Sequence, residues 1–174
     1  RSSSPPLWSM ASAAVAWKIK QEDFLKDISF IDDLKLRGSY GAIGNQPPNN
    51  YIFIASYSGG RDAVFNGQRV SSLAPTRNAN PDLQWESAHQ FDLGLDFGLL
   101  KSRISGSLDY YNRRTSNLLY DKPQPLSSGF GVRTENVGSM RNTGLELALN
   151  GIVVDNRDFK LDANFNITTL KNEI

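Results

Sequence analysis

From Leu83 to Gly98 the chain alternates apolar and polar residues over sixteen positions. One register reads Leu83, Trp85, Ser87, His89, Phe91, Leu93, Leu95 and Phe97. The other reads Gln84, Glu86, Ala88, Gln90, Asp92, Gly94, Asp96 and Gly98. Successive side chains of a strand point to opposite sides, so this period of two marks a strand with one apolar and one polar face. Sixteen residues extend about 53 Å at roughly 3.3 Å each, whereas a soluble strand usually runs to about five or six. A strand this long and this two-faced fits a membrane barrel better than a small soluble sheet.

The next segment repeats the pattern: Ile104, Gly106, Leu108 and Tyr110 alternate with Arg103, Ser105, Ser107, Asp109, Tyr111 and Arg113. A hairpin turning on Leu100-Lys101 gives paired residues that sum to 201. Phe97 then lies opposite Ile104, Leu93 opposite Leu108 and Phe91 opposite Tyr110, all apolar pairs on one face. A slip by one residue would send each to the wrong side. The same register sets Asp92 against Asp109, which is unfavourable unless water or a cation intervenes. A slip by two residues relieves that contact and keeps the faces, so the parity is secure and the register is not.

Four more segments alternate in the same way: Ala13 to Ile19, Leu34 to Gly41, Gly144 to Asn150 and Phe159 to Thr168. The fold class read from them is all-β: a segment of antiparallel transmembrane β-barrel with about six long strands. Short connections near 99–102 and around Asp155-Asn156-Arg157 contrast with long loops near 44–81 and 117–136, the asymmetry of outer-membrane barrels. Glu22 to Asp27 is the one helical candidate. Smaller strands are expected near Tyr51–Tyr57 and Phe65–Leu73 inside the first long loop, with Asn66-Gly67 as a tight hairpin turn.

Composition narrows the classes further. Hydrophobic residues make up 39% and mean hydropathy is −0.41. No apolar run approaches the roughly 18 residues of a spanning helix, while a barrel averages out to a hydrophilic-looking sequence. A net charge of +1 with both signs dispersed leaves no electrostatic footprint for nucleic acid. The absence of cysteine removes disulfides and thiolate metal sites. The competing class is a soluble β-sandwich acting as a carbohydrate- or protein-binding module, whose strands also alternate.

Several runs carry a family resemblance: Glu22-Asp23-Phe24-Leu25, Leu34-Lys35-Leu36-Arg37-Gly38-Ser39-Tyr40-Gly41 with Gly44-Asn45-Gln46, and Asn80-Pro81-Asp82-Leu83-Gln84-Trp85-Glu86. Phe91 to Gly98, Gly106 to Tyr111 and Asn136 to Glu146 extend the set. Together they resemble the SusC/RagA family of TonB-linked outer-membrane receptors of Bacteroidetes. The match covers roughly 13–174, and residues 1–12 read as an irregular, truncated start. The resemblance implies a 22-stranded barrel in the bacterial outer membrane, an N-terminal plug, a SusD-type surface lipoprotein and energy delivered through TonB. It implies import of oligosaccharides or other polymer breakdown products, with no cofactor. Six strands cannot close such a barrel, and hydrocarbon does not tolerate open sheet edges. The chain is therefore expected to be an internal piece of the barrel, in contact with lipid, the rest of the wall and the plug.

Catalysis finds little footing. His89 is the sole histidine, with no cysteine or second histidine to join it, and an interfacial or packing role suits it better. Asp92 and Asp96 share a face but lie about 13 Å apart along a strand, too far for a glycosidase pair at roughly 5–9.5 Å. No catalytic residue and no metal site is expected. The polar register, with Glu86, Gln90, Asp92, Asp96, Asp109, Arg113, Glu146, Lys160 and Asp162, is expected to face the lumen. In the long loops Tyr51, Phe53, Tyr57, Phe65 and Tyr120 offer ring faces for sugars, and Arg61 and Arg69 offer donors. Packing within the loops, or an aromatic girdle, is the plainer role for each.

Overall fold

The computed structural model describes residues 11–47, 49, 51–60 and 62–174. In chain order its strands are β1 (Ser12–Lys18), β2 (Ile31–Asn45), β3 (Ser56–Gly59), β4 (Ala63–Phe65), β5 (Gln68–Val70) and β6 (Leu73–Asn78). They continue as β7 (Glu86–Leu99), β8 (Ile104–Ser116), β9 (Leu119–Pro123), β10 (Val132–Asn136), β11 (Ser139–Asp155) and β12 (Lys160–Glu173). A 3-10 turn (Ile19–Gln21) and one short α-helix, α1 (Asp23–Lys26), follow β1. The chain divides into two compact units.

The first unit is built on a six-stranded sheet in the order β1-β2-β7-β8-β11-β12. Its registers follow the alternation. In β1 and β2, Ala13 pairs with Tyr40, Val15 with Gly38 and Trp17 with Leu36. In β11 and β12, Leu147 pairs with Ile167 and Leu149 with Phe165. A bulge between Ile152 and Val154 shifts the register near the turn, one extra residue that bends the strand. Between β1 and β2, Lys20 Nζ donates to the carbonyls of Leu25 at 2.9 Å and Ile28 at 2.8 Å. A cation thus sits against the carbonyls at and just beyond the C-terminal end of α1, where the helix dipole favours positive charge.

Side-chain neighbours across the β7–β8 hairpin favour the slipped register. A side chain added at Gly106 would run into the Phe97 ring, and one at Gly94 into the Asp109 carboxylate. Both pairs sum to 203, as do the strand ends Leu99 and Ile104. Leu100, Lys101 and Ser102 are all left-handed, with φ of 56°, 59° and 59°. With Arg103 these residues make a four-residue connection in place of the two-residue turn. The faces keep their parity, and the Asp109 carboxylate lies beside Gly94.

The apolar register of this sheet is open. Val15 is 73% exposed, Leu93 43% and Phe165 54%, and Phe91, Leu108, Leu145 and Ile167 are exposed as well. Among the described residues Leu83 is the sole buried hydrophobic side chain, and it belongs to the other unit. The six strands therefore have no apolar core of their own. Along β7 the apolar register runs from His89 to Leu99, about 33 Å of strand. At a tilt of about 40° that is about 25 Å in height, the thickness of the apolar band on an outer-membrane barrel.

The second unit holds a four-stranded sheet, β3-β6-β10-β9, and the two-stranded β4–β5 ribbon. The expected small strands are displaced: Tyr51 to Ile54 form a turn and β3 begins at Ser56. Asn66 and Gly67 turn the ribbon with φ of 50° and 76°, the doubly left-handed pair that a tight hairpin needs. The 117–136 segment is partly ordered as β9 and β10, paired antiparallel, and β10 runs parallel to β6. The sixteen-residue strand expected from Leu83 is shorter than its alternation, because β7 starts only at Glu86.

Candidate functional site

Leu83 to Trp85 leave the ladder because a side chain substitutes for a strand. The Asn136 amide nitrogen donates to the carbonyl of Gln84 at 2.8 Å, and its oxygen accepts from the Gln84 N–H at 2.8 Å. The same nitrogen donates to the Asn117 carbonyl at 2.8 Å. Asn80 ties a second point: its side chain donates to the Thr134 carbonyl at 2.8 Å, and its backbone N–H to Phe53 at 3.0 Å. Asn80, Leu83 and Thr134 are buried. Glu86 completes the knot, accepting from Asn45 Nδ2 at 2.9 Å and from the Leu119 N–H at 3.0 Å. The run Asn80 to Glu86 thus holds the 44–81 and 117–136 segments together, with every polar group named here paired.

Beside this knot lies a cleft of about 380 Å³, lined by Gln46, Tyr51, Phe53, Leu83, Gln84 and Trp85 among others. That volume lies in the range of small-molecule sites. Tyr51 and Phe53 face each other with ring centroids 6.3 Å apart and planes at 46°. Tyr51 has φ +64° and is largely exposed. A bulky residue held left-handed costs about 1–3 kcal/mol and persists where its surroundings demand it.

The expected ligand residues are thus only partly brought together. Tyr51 and Phe53 share the cleft. Tyr57 stands exposed on β3, Phe65 on β4, Arg69 on β5 and Tyr120 on β9, none of them among its lining residues. Arg61 lies outside the described residues. Trp85 and Gln84 went unread as ligand candidates because the alternation placed them inside a strand. The available signal was Asn80-Pro81, a pair that opens turns and interrupts strands.

The polar face of the six-stranded sheet is tied to itself. Arg37 donates through Nε and Nη2 to both oxygens of Asp96 at 2.8 Å, and Nη2 also reaches Asp109 at 2.9 Å. Lys35 lies 3.2 Å from Asp96. Asp92 accepts from Ser39 at 3.1 Å and Gln90 at 2.9 Å. The cation needed between strand carboxylates is the Arg37 guanidinium, and Gly94 gives it room, since an added Cβ there would meet Arg37 and Asp109. A second, wider cleft of about 670 Å³ opens on this face, lined by Arg37, Asp92, Asp109, Arg113 and Glu146 among others. On the apolar face the Tyr40 hydroxyl meets His89 Nδ1 at 3.0 Å, a polar pair at one end of the apolar band, where an interfacial girdle belongs.

Comparison with known proteins agrees with this architecture. The family model described as TonB dependent receptor-like, beta-barrel matches residues 8–173. TonB-dependent receptor P3 of Formosa agariphila is 39% identical over 94% of this chain and 16% of its own length. TonB-dependent receptor SusC of Bacteroides thetaiotaomicron is 36% identical over 94% of this chain and 17% of its own. The chain spans about a sixth of the length of these relatives. The solved RagAB peptide transporter superposes with a TM-score of 0.80 at 34% identity, covering 93% of this chain and 17% of that one. The soluble-sandwich alternative gives way, since the long strands form one sheet with an exposed apolar face and the relatives are receptors and transporters. The chain belongs to the TonB-dependent receptors of the SusC/RagA kind, β-barrel proteins of the bacterial outer membrane, and represents part of their barrel domain.

Proposed function

We propose that the whole receptor imports oligosaccharides or other polymer breakdown products across the outer membrane, driven through TonB and capped by a SusD-type lipoprotein. Residues 13–174 supply part of a 22-stranded wall, with the 44–81 and 117–136 segments on the extracellular side. The observation that carries this reading is the sheet with an exposed apolar register and a charged register bonded within itself. Such a sheet suits lipid on one side and a wet lumen on the other. Loop aromatics Tyr51, Phe53, Tyr57, Phe65 and Tyr120, with Arg61, contact the ligand, which passes through chemically unchanged.

The test is uptake. Cells expressing the receptor accumulate labelled oligosaccharide, and accumulation stops when the receptor gene or TonB is deleted. Equal accumulation in both deletion strains, for every glycan and peptide pool tried, refutes import by this receptor.

A further inference from the structure

We infer that the cleft of Tyr51, Phe53 and Trp85 is a binding site for an uncharged, polyhydroxylated ring, such as a neutral sugar residue at one end of an oligosaccharide. The inference rests on the importer reading and names the part of the ligand that this segment meets.

Charge is the first argument. Among the described residues lining the cleft there is no Asp, Glu, Lys, Arg or His. Glu86, next to Trp85, is committed to Asn45 and the Leu119 N–H. A ligand carboxylate or ammonium entering here would lose water and meet no counter-charge among the described lining residues, the expensive case of burial. A neutral polyol loses only hydroxyl hydration, which side-chain amides return because each both donates and accepts. Gln46 and Gln84 supply such amides. The contrast with the Arg37–Asp96–Asp109 face shows that this chain places charge densely elsewhere.

Shape is the second. The Tyr51 and Phe53 rings, tilted at 46° and 6.3 Å apart, do not stack face to face, and the exposed Tyr51 ring offers a face to the C–H side of a sugar ring. Tyr51 is exposed on a left-handed backbone, strain of the kind that gathers at ligand clamps. Gln84 and Trp85 sit on backbone fixed from outside by Asn136, so this wall is preorganised by groups that need not touch the ligand.

The experiment uses the full-length receptor in detergent and isothermal titration. The probes are neutral trisaccharides of differing linkage (maltotriose, cellotriose, xylotriose, mannotriose), with trigalacturonate and trialanine as charged counterparts. At least one neutral probe binds, the charged probes do not, and Trp85→Ala and Tyr51→Ala each weaken binding by about tenfold. Phe24→Ala, an exposed residue of α1, leaves it unchanged. Heat-modifiable gel mobility establishes that each variant is folded, and the exposed Tyr51 carries the result if Trp85→Ala is not. Binding of a charged probe in place of neutral ones, unaltered affinity in Tyr51→Ala, or silence across the panel each overturn the site. TonB-dependent uptake that persists in those cases leaves the importer reading standing. Loss of uptake for every pool sinks the importer reading instead.

Discussion

Leu93 and Asp92 are neighbours in sequence and opposites in environment. Leu93 is exposed on the apolar face, while Asp92 is held by Ser39 and Gln90 on the polar one. If the apolar face meets lipid, an arginine at Leu93 places a charge within the hydrocarbon band, at a cost of about 2–4 kcal/mol near the midplane. Gln90→Ala removes one partly exposed hydrogen bond on the wet face, worth about 1 kcal/mol. Both are measured as the shift in denaturant midpoint of the full receptor folded into vesicles. Equal, small shifts for Leu93→Arg and Gln90→Ala would contradict the assigned faces. That parity was legible from residues alone, since one water-filled and one lipid-filled side impose opposite demands on successive positions. The register was not. Asp109 is held by Arg37, which lies 72 residues before it in sequence and whose place between two carboxylates no local pattern reveals.

At the scale of elements, the long strands could be read and the short ones could not. Each of β7, β8, β11 and β12 spans a band of uniform surroundings, so its alternation is long enough to detect. β9 and β10 run five residues each, and the β6–β10 pairing is parallel between distant segments. Their order comes from Asn80 and Asn136, whose partners lie about fifty residues away. The ligand cleft was half legible for the same reason. Tyr51 and Phe53 stood out as loop aromatics, whereas Trp85 was hidden within a pattern that continues past the true start of β7. Asn136→Ala tests this directly. It removes a donor to two carbonyls and an acceptor for one N–H, a local loss of about 1–3 kcal/mol. Hydrogen exchange at Gln84 and at Leu118 to Leu119 should accelerate by about tenfold or more, while amides of the β7–β8 hairpin stay protected. Unchanged exchange at Gln84 would mean that the Asn136 side chain holds nothing.

For the whole molecule, the decisive quantity is the apolar surface that the six-stranded sheet leaves uncovered. A soluble domain of this length should bury most of its large apolar side chains in one core, and soluble monomers rarely expose contiguous apolar patches beyond a few hundred Å². Here the leucines, phenylalanines and isoleucines of one register lie open, and among the described residues β1 and β12 are the edge strands of the sheet. Both features favour association in water, the face through the hydrophobic effect and the edges through backbone pairing. Detergent satisfies the first and not the second, so the two effects separate experimentally. The 174-residue chain alone should sediment as large aggregates in buffer. In detergent micelles it should become smaller but still self-associate through its edges, whereas the full receptor in the same detergent should be discrete. A monodisperse, cooperatively unfolding monomer of this chain in plain buffer would require the apolar register to be covered by the chain itself. That result would overturn the assignment of that face to lipid and, with it, the wall role proposed for these six strands.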